Sequence, residues 1–192
     1  GFYPLWDDVN DTAVWRRSAG RVWGNTLVEI EGGHILTSVY GANEVSDVMG
    51  KATINMTGGT IGVPRTIASI KAHPVTCYLF GAGMGDPRIM FNTWTNVANA
   101  EVNISDNAFL FGSAFGGGED GHVLGNVTMN IGSSENPSSD HVHIGTWGYS
   151  YVDGNVFGGG RGFDGGALTA DSVGGNVTLN IYSGNILGSV YG

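Results

Sequence analysis

The sequence predicts an all-β fold: a parallel β-helix, or β-solenoid, built from alternating short and long repeat units. Three observations lead there. Five look-alike segments recur along the chain. Each alternates apolar and polar residues with a period of two. Each is followed by an apolar residue, an aromatic ring and a glycine. Fixed-period similarity of this kind marks a stacked array, whose units bury their apolar faces only against one another.

The five segments are GNTLVEI from Gly24, GKATINM from Gly50, NAEVNI from Asn99, GNVTMNI from Gly125 and GNVTLNI from Gly175. Their spacing alternates between about one and two repeat lengths. This divides the chain into a 1–23 return loop or partial repeat, then units 24–49, 50–98, 99–124, 125–174 and 175–192. On one face of the segments lie Thr26, Val28 and Ile30, then Ala52, Ile54 and Met56, then Ala100, Val102 and Ile104. Val127, Met129 and Ile131, and Val177, Leu179 and Ile181, complete the set. A period of two rich in β-branched residues is a strand with one buried face. The opposite face carries the column Glu29, Asn55, Asn103, Asn130, Asn180, expected to form a polar ladder once the units stack.

The second landmark is Tyr40-Gly41, Phe80-Gly81, Phe115-Gly116, Phe157-Gly158 and Tyr191-Gly192. Stacking places these rings in one column, where offset ring pairs add about 0.5–1.5 kcal/mol each beyond area burial. The glycine after each ring is expected to turn the corner, with φ > 0 available to it. The long units carry their extra residues at matching places, near 62–76 and 84–97 and again near 133–153 and 161–173. Equivalent insertions in a stacked array emerge on the same side.

Competing folds fit less well. A β-propeller also repeats glycine and aromatic motifs, but its blades need about 40–45 residues and the short unit is too small. An antiparallel barrel ranks third. No stretch has sustained helical periodicity, and 34 of the 192 residues are glycine.

Composition limits the function classes. The net charge is −9, with eight basic against seventeen acidic residues. That argues against nucleic acid, whose phosphates need clustered Lys and Arg, and against an anionic membrane surface. No apolar run approaches the roughly 18 residues of a spanning helix, so membrane insertion is not expected. A single cysteine, Cys77, allows no internal disulfide. Gly1 in place of Met reads as a processed chain or a piece of a longer one.

Candidate chemistry follows from a few residues. The run GGRGFD, ending at Asp164, matches the core of calcium-binding glycine-rich nonapeptides. With Glu119, Asp120 and Asp86 at neighbouring corners, Asp164 is the calcium-ligand expectation, since a hard cation wants 6–8 oxygens. Glu44, Asp47 and Asp171 are further corner acids. The alternative is that these acids only keep corners soluble, with no cofactor. Trp94, Trp147, Tyr149 and Tyr151 lie in the long-unit insertions and could stack on sugar rings. Equally, Trp147, Tyr149 and Tyr151, at period two, could be the buried face of an extra strand. His141 and His143 read as a surface pair rather than metal ligands. No nucleophile elbow, catalytic triad or clustered base appears, so the chain is read as no enzyme, with a polysaccharide lyase or glycoside hydrolase as the alternative. The Asn-x-Ser/Thr sequons at Asn55, Asn103, Asn126 and Asn176 fit N-glycosylation formally, and three of these recur because the strand recurs.

The unit G-N-V-T-x-N-I-x-x-G-x-I-x-x-x-V-[YF]-G-G-G resembles the GG-x-I-type repeats of large bacterial cell-surface proteins, autotransporter-passenger-like and other adhesin-like β-solenoids. The likeness spans 24–192. The FxxN element of chlamydial polymorphic membrane proteins is absent. The resemblance implies a secreted, elongated, mostly non-catalytic protein. The expectation is a structural and adhesive protein of the extracellular space or bacterial cell surface, a segment or subunit of a fibre. It would continue into a longer chain or associate head to tail. The alternative is a β-helix that binds or cleaves polysaccharide, on a cell surface or phage-borne like a tailspike, with host or microbial glycans as partners.

Overall fold

The computed structural model describes residues 5–7, 12–14, 20–68, 77–85, 95–148, 153–162 and 171–192. Within them every complete element is a β-strand. β1 (Leu5–Asp7) and β2 (Thr12–Val14) pair antiparallel, so part of the expected return loop is a small ribbon.

From residue 26 the chain visits three sheets in a fixed order, once per tier. The first tier is β3 (Thr26–Ile30), β4 (His34–Ile35) and β5 (Val39–Tyr40). The second is β6 (Val48–Met56), β7 (Thr60–Ile61) and β8 (Leu79–Phe80). The third is β9 (Asn96–Ile104), β10 (Phe109–Leu110) and β11 (Ala114–Phe115). The fourth is β12 (His122–Val123), β13 (Val127–Ile131), β14 (His143–Ile144) and β15 (Val156–Phe157). The fifth is β16 (Val177–Ile181), β17 (Asn185–Ile186) and β18 (Val190–Tyr191).

The second and third sheets take one strand from every tier, the first takes one from every tier plus β12 beside β9, and all these pairs are parallel. The protein is therefore all-β with three parallel sheets, an arrangement consistent with a β-helix. A propeller blade, made from consecutive antiparallel strands, is not what forms. The five look-alike segments share one sheet in register: Ile30, Met56, Ile104, Ile131 and Ile181 lie opposite one another, as do Glu29, Asn55, Asn103, Asn130 and Asn180.

The core follows from the alternation. Ile54, Met56, Val102, Ile104, Met129 and Ile131 from the first sheet meet Ile61, Leu110 and Ile144 from the second, and Leu79, Ala114 and Val156 from the third. A second cluster, Val48, Ala52, Val97, Ala100, Val123 and Val127, fills the start of the first sheet. Corners between the first and second sheets use Gly33, Gly59 and Gly184, at φ of 84°, 78° and 107°.

The ring-following glycines work differently from expectation. None of Gly41, Gly81 or Gly116 has positive φ. They are glycine because the tiers come too close: a Cβ on Gly41, Gly81 or Gly116 would lie 2.2–2.4 Å from the carbonyl oxygen of the equivalent glycine in the next tier.

The glycines opening three of the repeats, Gly50, Gly125 and Gly175, have a similar cause. A Cβ on Gly50, Gly125 or Gly175 would strike the side-chain oxygen of Asn25, Asn99 or Asn126. Those oxygens accept backbone N–H groups of Lys51, Asn126 and Asn176 at 2.8 Å. The Gly-Asn pair is thus one device: the asparagine reaches over the tier ahead, and the glycine leaves it room.

Candidate functional site

The ring column forms as the repeat implies. Tyr40, Phe80, Phe115, Phe157 and Tyr191 stack with centroids 4.8–5.1 Å apart and planes within 19°. Because neighbouring residues on a strand face opposite ways, and Val39, Leu79, Ala114 and Val156 point into the main core, the rings lie on the outside of the third sheet. They are not left bare. Tyr78, fully buried, meets Phe80 and Phe115 edge-on at 5.8 and 5.7 Å. The guanidinium groups of Arg65 and Arg161 lie over the Tyr78 ring at 5.4 and 5.2 Å. Burial raises the Tyr78 hydroxyl pKa, and Arg65 and Arg161 offset only part of that.

Beside this wall sits a group of buried acids. Glu119, 2% exposed, accepts a hydrogen bond from the Tyr40 hydroxyl and pairs with Arg161 at 3.0 Å. Burial pushes its carboxyl up, and Tyr40 and Arg161 pull it back in part. Tyr40 itself is driven well above the ordinary phenol range, first by burial and then by Glu119. Asp171 adopts φ of 66°, and its carboxylate lies over Gly160, where a Cβ would be 1.4 Å from Oδ1. Its pKa is pushed up to about 9, by burial and by the charge of Asp120, against the pull of Arg161.

This geometry gives the glycine run a packing role. Gly160 makes room for Asp171, and Gly162 sits at φ of 61°. Glu119 and Asp120 are both buried at this corner, with Glu119 committed to Tyr40 and Arg161. Asp86 and Asp164 lie outside the described residues. Among the described residues no group of three or more His, Cys, Asp or Glu is placed to hold a metal ion. Another corner acid, Asp47, is taken up by Arg21 at 2.8 Å and by the Asn96 amide at 2.7 Å.

Of the four aromatic residues expected to stack on sugars, Trp147 is described; Trp94, Tyr149 and Tyr151 lie outside the described residues. Trp147 is 62% exposed, so it is no part of a buried strand face. It is nonetheless held firmly. Its indole N–H donates to the Arg65 carbonyl at 2.6 Å, tying one long-unit insertion to the other. Its backbone N–H and that of Thr146 donate to the fully buried Asp153 carboxylate at 2.9 and 2.8 Å. The Thr146 hydroxyl reaches the Phe111 carbonyl at 2.8 Å. Around the corner, on the outside of the second sheet, Phe109 stacks on His143 at 4.4 Å and meets Phe111 at 4.7 Å. An indole fixed at its polar edge and open on its surface can receive a flat apolar face at little entropic cost.

Sequence reasoning picked out Trp147 but not its supports. Arg65 and Asp153 sit 82 and 6 positions away in the chain, and no local pattern links them to the ring. His143 proves to be a stacking partner of Phe109 whose Nε2 lies 3.1 Å from the Gly145 carbonyl. Cys77 is buried, as its place beside the ring column suggests, but with φ of 75°, which nothing in the sequence signals.

No family model matches the chain, and no curated protein or solved structure matches it either.

Proposed function

We propose that the chain is a β-solenoid module of an extracellular or bacterial cell-surface protein, structural and adhesive in role and non-catalytic, built into an elongated fibre. The observation that carries this reading is Trp147: an exposed indole anchored across both long-unit insertions by Arg65 and Asp153. The Arg65 carbonyl and the Asp153 carboxylate are engaged in holding it, which suits binding rather than turnover. The acidic, cysteine-poor composition and the repeat's resemblance to adhesin-like surface proteins support the same reading.

The test is attachment. Purified chain should bind a host or microbial surface, and Trp147→Ala should abolish binding without loss of fold. Electron microscopy showing only compact, non-associating particles would remove the fibre from this reading.

A second reading, a carbohydrate-binding or polysaccharide-cleaving β-helix, is favoured by the same exposed indole, since such a face stacks on sugar rings. A reducing-sugar release assay separates the two, because turnover overturns the non-catalytic reading. Calcium belongs to either reading only as a stabiliser of the acid-rich corner of Glu119 and Asp120. Melting in Ca²⁺ and in EDTA should then differ; identical curves remove calcium.

A further inference from the structure

An open groove of about 320 Å³ lies along the outside of the first sheet, on a face other than that of Trp147. Its floor is the amide ladder at Asn103 and Asn130. Its wall is the chain from Gly132 to Glu135. Its lip is Tyr182 of the last tier, 45% exposed.

The groove is built in advance. Asn103 donates to Asn55 at 2.9 Å and to Glu101 at 3.1 Å, spending both amide hydrogens. Asn130 donates to Asn103 at 2.8 Å, and Asn180 donates to Asn130 at 2.8 Å. Asn130 therefore keeps one N–H to offer. The wall is clamped by Asp140, whose carboxylate accepts the backbone N–H groups of Asp106 and Ser133 and the Ser183 hydroxyl, from three successive tiers. Ser133 Oγ in turn accepts the N–H groups of Glu135 and Asn136 at 3.2 and 3.1 Å. A ligand entering this groove pays little to order it.

The lining selects a chemistry. Among the described residues no Lys or Arg lines it, and the charged group among them is the exposed Glu135 carboxylate. Phosphate, sulfate and other anions are thereby disfavoured. The amide and hydroxyl groups mix donors and acceptors at strand spacing, about 4.8 Å. Vicinal hydroxyls, each able to donate and accept, match that mixture. Tyr182 adds an apolar ring with a polar tip.

We propose that this groove binds one ring of an uncharged glycan, its C–H face on Tyr182 and its hydroxyls on Asn130, Ser133 and Glu135. The assignment rests on reading the chain as a partner-binding surface module, but it uses residues that the Trp147 surface does not.

The test uses the full 192-residue chain on an array of neutral hexose and N-acetylhexosamine oligosaccharides beside sialylated and sulfated ones. Neutral members should bind. Tyr182→Ala should weaken that binding about five- to tenfold, the worth of one stacked ring. Tyr182→Phe should keep most of it, and both variants should melt like the parent. Binding confined to anionic glycans, equal binding by Tyr182→Ala, or a silent array overturns the groove. Neutral binding lost only in Trp147→Ala also overturns it, while leaving the Trp147 surface intact.

Discussion

Asn130 Nδ2 donates to Asn103 Oδ1 at 2.8 Å across the seam between the third and fourth tiers. The same bond repeats from Asn103 to Asn55 and from Asn180 to Asn130. Asn103 and Asn130 are each donor to one tier and acceptor from the next, so removing either leaves two neighbours short. Asn103→Ala should cost about 1–3 kcal/mol. Urea unfolding of the variant checks this, and an unchanged midpoint would show the ladder to be decorative.

Gly116 and Gly159 lie at ring-following corners of adjacent tiers but face different space. A Cβ on Gly116 would be 2.4 Å from the Gly158 carbonyl oxygen and 2.6 Å from Val127, whereas one on Gly159 would meet nothing within 4 Å. Gly116→Ala should destabilise by at least about 2 kcal/mol, and Gly159→Ala should stay within about 0.5 kcal/mol of the parent. Thermal melts of the pair decide it, since equal effects would contradict the close approach.

Phe115 lies at the centre of the ring column, 4.9 Å from Phe80 and 4.8 Å from Phe157, with Tyr78 edge-on. Phe115→Ala should cost about 3–5 kcal/mol. Phe115→Tyr keeps the ring but must bury a hydroxyl, and should cost less. Denaturant titrations rank the two.

Asp171 sets a pH dependence. Its folded pKa of about 9 stands above the ordinary 3.8, so the folded state holds a proton that the unfolded chain releases. The stabilisation is fully present below about pH 4 and is lost as pH rises toward 9. Melting temperature should fall across that window. Asp171→Asn, which tolerates the same φ, should flatten the fall and raise stability at pH 8 by about 1–2 kcal/mol. Parallel profiles for parent and variant would rule this out.

Trp147→Ala removes a ring that is mostly in water, so stability should change by less than about 1 kcal/mol. Attachment to a partner should be lost. Arg65→Lys, which keeps the backbone carbonyl that holds the indole, should preserve attachment. A binding assay run beside a melt separates the two effects.

The sequence by itself determined the all-β class, the faces of the long strands and the stacking of like on like. Period-two alternation records burial directly, and Ile30, Met56, Ile104 and Ile131 line up because each was apolar at the same phase. The rings of Tyr40, Phe80, Phe115, Phe157 and Tyr191 were legible for the same reason. The purpose of the glycines after them was not, because the carbonyl each must avoid belongs to another tier. Only the tertiary structure decided that Glu119 joins Tyr40 to Arg161, that Trp147 rests on Arg65, and that Asp140 ties three tiers together. Such partners are chosen by which insertion lies over which tier. That depends on the full stack folding, and no local pattern encodes it.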